Sequence, residues 1–366
     1  DRVSNTKEGV KTMKKRAVIC LLAGVLAAAS LSGCGSFDGS DVVVTVDDKE
    51  ITADLANFLA RYTQAQYETY YAGYLGDDMW NSEGSSDGES YEDTVKDSVL
   101  ESLENMYLME AHMGDYDIAL TEEEENSIKE AAKQFDENNG LEEKEKVSGN
   151  TDTVERILEL MTIQKKVQDA VMAGADTEVS DEEAAQKKMQ YVTFSFTTTD
   201  EEGNSSEMTD EEKAELKTQA EEFAAGAAGA SDFSAYASQQ GYEAVEGTFD
   251  SESTGYPEEL VAEMDKLEEG GTTGVVESTG GYYVARVTSL FDREATDTKK
   301  TEIVQERQQK LLDDTISEWR DDAKIDVNNR VWDKVDFNKL SVTMKQDETD
   351  PYADEVQTDD QAEETE

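Results

Sequence analysis

Tyr191-Val-Thr-Phe-Ser-Phe196 is the stretch that decides the fold of this 366-residue chain. From Val192 onward its apolar side chains alternate with small polar ones, which is the pattern of a β-strand with one buried face. Before it, residues 41–190 predict one strand followed by helices. After it, strand and helix signals alternate through residue 290, so a domain of a different kind begins at Tyr191.

Residues 191–290 predict a compact module with the element order β-α-α-β-α-β-β. The helix that begins at Pro257 fits this reading, because the missing N–H of proline costs little in the first helical turn. An order of this kind in about 100 residues is typical of an α+β domain. The predicted elements are strand 191–196, helices 210–225 and 233–239, strand 247–249, helix 257–267, and strands 274–276 and 282–287.

Both flanks of this module are mainly helical in pattern. The N-terminal flank, 41–190, predicts strand 41–46 and helices 53–74, 91–112, one from Thr121, one over 152–173 and one from Val179. The C-terminal flank, 291–340, predicts helix 298–321 and strand 325–327. Neither flank looks complete alone, so we expect them to share one domain. The residues expected to pack on helices 53–173 are Ile303, Val304, Leu311, Leu312 and Trp319.

The N-terminal region carries an export signal. Leu31-Ser-Gly-Cys34 closes an apolar run that follows Lys14-Lys-Arg16, and it resembles a bacterial lipoprotein signal with its lipobox. A transmembrane anchor is the alternative, but the run from Ala17 to Leu31 has 15 residues, and a spanning helix needs about 20. The resemblance implies that residues 1–33 are upstream sequence and signal peptide. It also implies that Cys34 carries lipid and that 34–40 are a tether.

The charge of the chain excludes one class of partner. With 33 Lys and Arg against 86 Asp and Glu, the formal net charge is −53. Such a field repels phosphates, so no nucleic-acid partner is expected, whereas basic clients or divalent cations are favoured. Solubility alone also explains the charge. The two cysteines, Cys20 and Cys34, fall in the signal and at the lipid site, so we expect no disulfide. The acidic end, 341–366, predicts disorder.

The module resembles a parvulin-type prolyl isomerase domain, and residues 34–337 together resemble a PrsA-type foldase lipoprotein with a SurA-like helical chaperone domain. The resemblance implies an α+β fold in which a mostly helical chaperone domain, formed by both flanks, carries the inserted parvulin-like domain. The segments that carry it are 191–196, 233–237, 247–249, 256–260, 267–270 and 281–287. It implies unfolded or partly folded exported proteins as partners and a lipid anchor at the extracytoplasmic face of the cell membrane. No cofactor or metal is implied, and a homodimer is left open.

The same resemblance implies the site residues. Parvulins place one histidine in the first strand and one in the last, and these positions fall on Thr193 and Tyr283. The chain has one histidine, His112, outside the module. We therefore expect a degenerate site with weak or absent isomerase activity, and whether the chain is an enzyme is left open. The residues expected to form an apolar substrate-binding wall are Phe249, Tyr256, Leu260 and Met264; the alternative is that they are ordinary core.

Other features have two interpretations. The stripe Tyr67, Tyr70, Tyr71 and Tyr74 predicts half-buried packing or a groove for clients. His112 is expected to be a helix-end residue. A solute-binding or a structural surface lipoprotein is the alternative function. The first needs alternating βα units across two lobes and the second needs repeats or β modules, and neither pattern is found in the sequence.

Overall fold

The computed structural model describes residues 25–30, 38–76, 78–86, 88–199 and 205–345. The lipobox at Leu31–Cys34 and the acidic tail from residue 346 lie outside these ranges. The chain divides into two compact units. The first unit contains residues up to Gly174 together with those from Lys310 onward, and the second contains Ala175–Gln309.

The elements of the first unit come from both ends of the chain. Before the second unit lie β1 (Val25–Ser30), β2 (Val42–Val46), β3 (Lys49–Thr52), α1 (Ala53–Tyr70), α2 (Ala72–Leu75), α3 (Tyr91–His112), α4 (Glu122–Asn138), α5 (Leu141–Val147) and α6 (Thr151–Met172). The second unit contains β4 (Lys187–Ser195), β5 (Thr197–Thr199), β6 (Ser205–Glu207), α7 (Asp210–Gly229), α8 (Phe233–Gln239), β7 (Val245–Phe249), α9 (Glu258–Met264), β8 (Val276–Ser278) and β9 (Gly281–Ser289). The chain ends with α10 (Arg293–Asp322), β10 (Ile325–Val327), α11 (Asn329–Trp332) and β11 (Leu340–Lys345).

The two flanks share the hydrophobic core of the first unit. Phe58 of α1 and Leu103 of α3 are in the same buried cluster as Trp332, Phe337 and Val342 from the C-terminal flank. A second cluster joins Leu312 of α10 to α3 and α6, through Met109, Ile163, Val167 and Val171. The strands follow the same pattern, because β10 pairs with β2 in the sheet β10-β2-β3. The C-terminal flank therefore completes a core that the N-terminal flank begins.

Polar contacts fix the C-terminal strand on α1. The Glu68 carboxylate accepts hydrogen bonds from Ser341 Oγ at 2.6 Å and from the Val342 N–H at 2.8 Å. Its other oxygen accepts from Gln64 Nε2 at 2.6 Å and from Trp80 Nε1 at 2.9 Å. Four donors on one carboxylate set the position of β11 along α1.

The second unit is an antiparallel sheet covered by helices on both faces. Its strand order is β7-β4-β9-β8, and a small hairpin, β5-β6, lies apart from it. On one face Val192, Phe194 and Val284 pack with Phe223 of α7 and Phe233 of α8. On the other face the core residues Met189, Phe249, Ala285 and Val287 pack with Leu260 and Met264 of α9. The α+β fold class is confirmed. Every strand pair in the described ranges is antiparallel, so those ranges hold no parallel βα unit of the kind a solute-binding protein needs.

Several sequence predictions differ from the structure. Val25–Ser30, inside the predicted signal peptide, forms β1 and pairs antiparallel with β11. Residues 41–190 contain a second strand, β3, where one strand was predicted. The helix expected from Val179 is a single turn, closed by the Glu183 N–H on Ser180 Oγ at 3.1 Å, and the chain then enters β4 at Lys187. The first helix ends at Tyr70, because Tyr71 with φ −120° leaves the helical region before α2. Residues 341–345 belong to β11 and not to the tail, and Val342 is fully buried. Ile303 and Val304 lie in the second unit and join none of the core clusters of the described residues.

Candidate functional site

The two central strands of the second unit place Thr193 directly opposite Tyr283. The antiparallel register of β4 and β9 pairs the two residues, with Met189 opposite Val287 and Tyr191 opposite Ala285 on the same face. Directly opposite residues point to one side of a sheet with their Cβ atoms about 5 Å apart. Thr193 is exposed and Tyr283 is half-buried. The sheet thus brings together the two positions singled out from the sequence.

Tyr191 and Tyr256 stand beside this pair. The ring of Tyr191 lies 6.4 Å from the ring of Tyr283 and 5.8 Å from that of Tyr256, and it meets Tyr256 edge-on at 79°. We call Tyr191, Tyr256 and Tyr283 the three-tyrosine face. Sequence reasoning missed Tyr191 as a site residue. The available signal was its period-2 spacing from Thr193, which puts both residues on one face of the strand.

The other predicted wall residues lie below this face. Phe249, Leu260 and Met264 are each 0% exposed and pack with Met189 and Val287. They form the core between α9 and the sheet, and Tyr256 and Tyr283 border that core without being enclosed by it. Tyr256 is therefore the accessible member of the predicted wall, with Tyr283 beside it, because the other three residues are buried between α9 and the sheet.

The hydroxyls of Tyr256 and Tyr283 act as hydrogen-bond donors at neutral pH. Burial raises the pKa of Tyr283 above the ordinary 10.0, and the neighbouring Tyr191 raises it further. Burial also raises the pKa of Tyr256, Tyr191 adds to this, and a backbone hydrogen bond with Thr248 opposes it in part. Raised pKa values keep both phenols protonated, so they donate hydrogen bonds and do not serve as bases.

A polar cavity of about 590 Å³ opens next to Tyr256. Its lining carries both charges, from Lys188, Lys299, Asp250 and Glu252 among others. Burial alone would raise the pKa of Asp250, but hydrogen bonds from Gln186, the Glu252 N–H and Ser253 outweigh it and lower the pKa. The cavity therefore presents a hydrogen-bonded carboxylate, Asp250, and further charges of both signs beside Tyr256.

Neither a metal cluster nor a spanning helix is found in the described ranges. Within them, no group of three His, Cys, Asp or Glu side chains is placed to hold a metal ion. No helix there is long and apolar enough to cross a membrane. His112 is the last residue of α3, where its ring stacks on Trp319 at 4.4 Å and Nδ1 lies 2.8 Å from Asp115 Oδ2.

Comparison with known proteins identifies the class of the second unit. Residues 195–299 match the family model of the PPIC-type PPIASE domain. This confirms the parvulin-type interpretation of the module, whose sheet and three-tyrosine face are described above. No curated protein sequence matches the chain.

Solved structures of foldases and chaperones are similar to the chain at low identity. The foldase protein PrsA from Streptococcus pneumoniae is 19% identical, with 66% of this chain and 89% of that one covered and a TM-score of 0.30. The peptidylprolyl isomerase PrsA from Bacillus cereus is 17% identical, with 82% and 98% covered and a TM-score of 0.30. A SurA-like chaperone from Campylobacter jejuni is 13% identical, with 78% and 99% covered and a TM-score of 0.28. At these TM-scores the likenesses carry no argument about function.

Proposed function

We propose that the chain is an extracytoplasmic folding factor that binds unfolded or partly folded exported proteins, with a weak prolyl isomerase as its second unit. The observation that carries the proposal is the PPIC-type match over 195–299, on a sheet whose register sets Thr193 opposite Tyr283. Parvulin-type domains act on peptide bonds that precede proline. The three-tyrosine face is the accessible aromatic surface at that position, and it can receive a proline ring.

The reaction requires no covalent chemistry from the protein. Rotation about the peptide bond has a barrier of about 18–20 kcal/mol in water. The barrier falls when a site removes the imide from water and binds its twisted form more tightly than its planar form. Aromatic rings supply the dry surface, and the protonated hydroxyls of Tyr256 and Tyr283 supply donors to the polar atoms of the imide.

The expected rate enhancement is small because the donors are few and only Tyr256 is held, by its hydrogen bond with the Thr248 backbone. Rigidly held donors that match the transition state contribute most of the rate enhancement in many enzymes. Thr193 is exposed, and among the described contacts no hydrogen bond fixes the Tyr283 hydroxyl. The proposed site is therefore weaker than one in which two facing imidazoles are held by a polar network.

The experiment is a pair of assays on the full chain. Wild type should accelerate a proline-limited refolding reaction weakly and should suppress aggregation of a reduced client. Tyr256→Phe with Tyr283→Phe should abolish the acceleration and leave suppression of aggregation intact. Tyr242→Phe is the control, because Tyr242 packs on Phe194 at the opposite face of the sheet. Equal loss in Tyr242→Phe, or no acceleration by wild type, would overturn the isomerase assignment. A wild type that suppresses no aggregation would overturn the chaperone assignment.

The proposal includes a lipid anchor on Cys34. Its support is the sequence pattern of residues 14–34, in which a basic cluster, a short apolar run and small residues precede the cysteine. Cys34→Ser should release the protein to the medium or leave it unprocessed, whereas Cys20→Ser should be retained on membranes like wild type. Membrane retention of Cys34→Ser at the wild-type level would remove the anchor from the proposal.

A further inference from the structure

The end of α1 exposes a cluster of large apolar side chains. Tyr70 is 62% exposed, Tyr71 52%, Tyr74 96% and Leu75 47%. These four residues, which we call the helix-end patch, make up four of the nine large apolar side chains that are exposed within the described ranges. Single exposed apolar residues are normal on protein surfaces, but a contiguous group marks a site of interaction.

The backbone holds the helix-end patch in a defined form. The Tyr71 N–H still donates to Tyr67 O at 2.9 Å, although φ of Tyr71 departs from the helical value. The short helix α2 follows and is capped by Gly76, whose φ of +83° is in the region that favours glycine. The patch is thus presented on hydrogen-bonded turns and not on a free loop.

A series of aromatic rings connects the patch to the core. The ring of Tyr71 lies 5.5 Å from that of Tyr67, which lies 5.9 Å from those of Trp80 and Tyr91. Trp80 in turn meets the fully buried Phe337 at 4.7 Å. The predicted packing role thus fits Tyr67, whereas Tyr70, Tyr71 and Tyr74 face solvent. An exposed surface on a rigid base loses little conformational freedom when a ligand binds.

The stretch of sequence that carries the patch is acidic. From residue 62 to residue 95 it contains eight acidic residues and no Lys or Arg. Two of them, Glu68 and Glu92, accept hydrogen bonds from the C-terminal flank, and Lys345 follows Met344, whose N–H donates to Thr69. Anionic lipid headgroups and a second copy of the chain, with its net charge of −53, would both be repelled. A segment that carries basic side chains next to apolar ones is attracted instead, and its cations can also lie over tyrosine rings.

We propose that the helix-end patch binds extended segments of unfolded proteins in which apolar and basic side chains lie close together. This inference rests on the proposed function and names the chemistry of the client. The apolar side chains would cover Tyr70, Tyr71, Tyr74 and Leu75, and the basic side chains would be attracted by the negative charge of this stretch and of the whole chain. Binding of such a segment should weaken as salt is added, because exposed charges are screened.

The test uses the full chain and two labelled peptides of about 12 residues, long enough to cross the patch in extended form. One contains Phe, Leu and Lys, and the other has Glu in place of every Lys. Wild type should bind the Lys peptide at least about ten times more tightly than the Glu peptide, a difference of about 1.4 kcal/mol. The triple variant Tyr70→Ser, Tyr71→Ser, Tyr74→Ser should lose at least about tenfold in affinity for the Lys peptide.

The control is Leu141→Ser with Val327→Ser, which removes two exposed apolar side chains elsewhere in the first unit and should bind the Lys peptide like wild type. Equal binding by the triple variant, or equal loss in the control, would overturn the inference. So would patch-dependent adsorption to phosphatidylcholine vesicles or patch-dependent self-association, because each assigns the patch to another partner. The isomerase and aggregation assays on wild type remain a separate readout, so failure of this inference and failure of the proposed function are distinguishable.

Discussion

The hydroxyl of Tyr256 lies directly over Gly247 of β7. A Cβ atom at Gly247 would stand 2.3 Å from Tyr256 Oη and 3.4 Å from Met189 Cε. The first distance is far inside van der Waals contact, so only glycine lets the phenol reach this position. Because Gly247 has no side chain, the Tyr256 ring can take its position in the three-tyrosine face.

Gly247→Ala should therefore displace Tyr256 without unfolding the second unit. The far end of the Tyr256 side chain can rotate away, so we expect the unfolding free energy to change by no more than about 1 kcal/mol. The weak isomerase activity should fall to the level of Tyr256→Phe, as measured by proline-limited refolding. Gly274→Ala is the matched control, because a Cβ there meets nothing within 4 Å. Unchanged activity in Gly247→Ala would show that Tyr256 is not part of the isomerase site.

Local patterns predicted much of the fold. The alternation in residues 191–196 located the central strand, and Thr121 followed by Glu124 located the start of α4, where both bonds of the capping box are present. Local patterns also misled. Ser180 is followed by acidic residues in the same way as Thr209, but only Thr209 begins a helix. Lys187 already pairs with Phe249 of β7, so the chain enters the sheet a few residues after Ser180 and does not continue as a helix.

The remaining errors concern contacts between distant residues. Leu340–Lys345 is a short strand beside an acidic tail, and its position depends on Glu68, about 270 residues earlier in the chain. The candidate site depends on the same kind of contacts. Thr193 and Tyr283 came from a resemblance, and the register brings them together, but burial of Phe249, Leu260 and Met264 depends on where α9 lies over the sheet. A one-dimensional pattern does not contain that information.

Glu68→Gln should destabilise the first unit. An amide has one acceptor oxygen, whereas the carboxylate has two. The NH₂ group of the glutamine would therefore stand opposite a donor, either Trp80 Nε1 or the Val342 N–H of β11. A loss of about 2–3 kcal/mol in unfolding free energy is expected, because hydrogen bonds to a charged group are broken and donors are left unpaired. Urea unfolding followed by tryptophan fluorescence measures it. Glu50→Gln, at an exposed position of β3, should stay within about 0.5 kcal/mol of wild type; a similar loss there would refute the assignment.

Glu124 should make the first unit sensitive to acid. Its carboxylate accepts from the Thr121 N–H at 2.8 Å and from Lys166 Nζ at 2.7 Å. Burial alone would raise its pKa, but these hydrogen bonds outweigh burial and lower it below the ordinary 4.5. A lowered pKa in the folded state contributes stability above pH 4.5, and that stability is lost as the pH falls through the folded value.

The measurement compares wild type with Glu124→Gln by urea unfolding at several pH values. The difference in unfolding free energy should be about 1 kcal/mol near neutral pH and should shrink below about pH 4. Glu125→Gln, in the same first turn but exposed, is the control and should show a smaller difference. A difference that is constant between about pH 7 and about pH 3 would mean that the Glu124 charge does not act through this cap.

The paired positions of Thr193 and Tyr283 predict a gain of activity. Parvulin-type domains, which the second unit resembles, carry one histidine in each of these two strands. Because the register already sets the two positions opposite each other, Thr193→His with Tyr283→His would bring two imidazoles within contact distance on the correct face. Such a pair is a more fixed source of donors than a threonine and a tyrosine, so the isomerase rate should rise by about tenfold or more.

The control for this gain is a second facing pair on the same sheet. Gln190→His with Glu246→His also sets two imidazoles opposite each other, on β4 and β7, but on the face turned away from the three-tyrosine face, and should leave the rate unchanged. Each single substitution, Thr193→His or Tyr283→His, should give less than the double variant, because one imidazole lacks its partner. If the double variant is folded by circular dichroism and no faster than wild type, the limitation lies elsewhere. The donors on this sheet would then not be what makes the site weak.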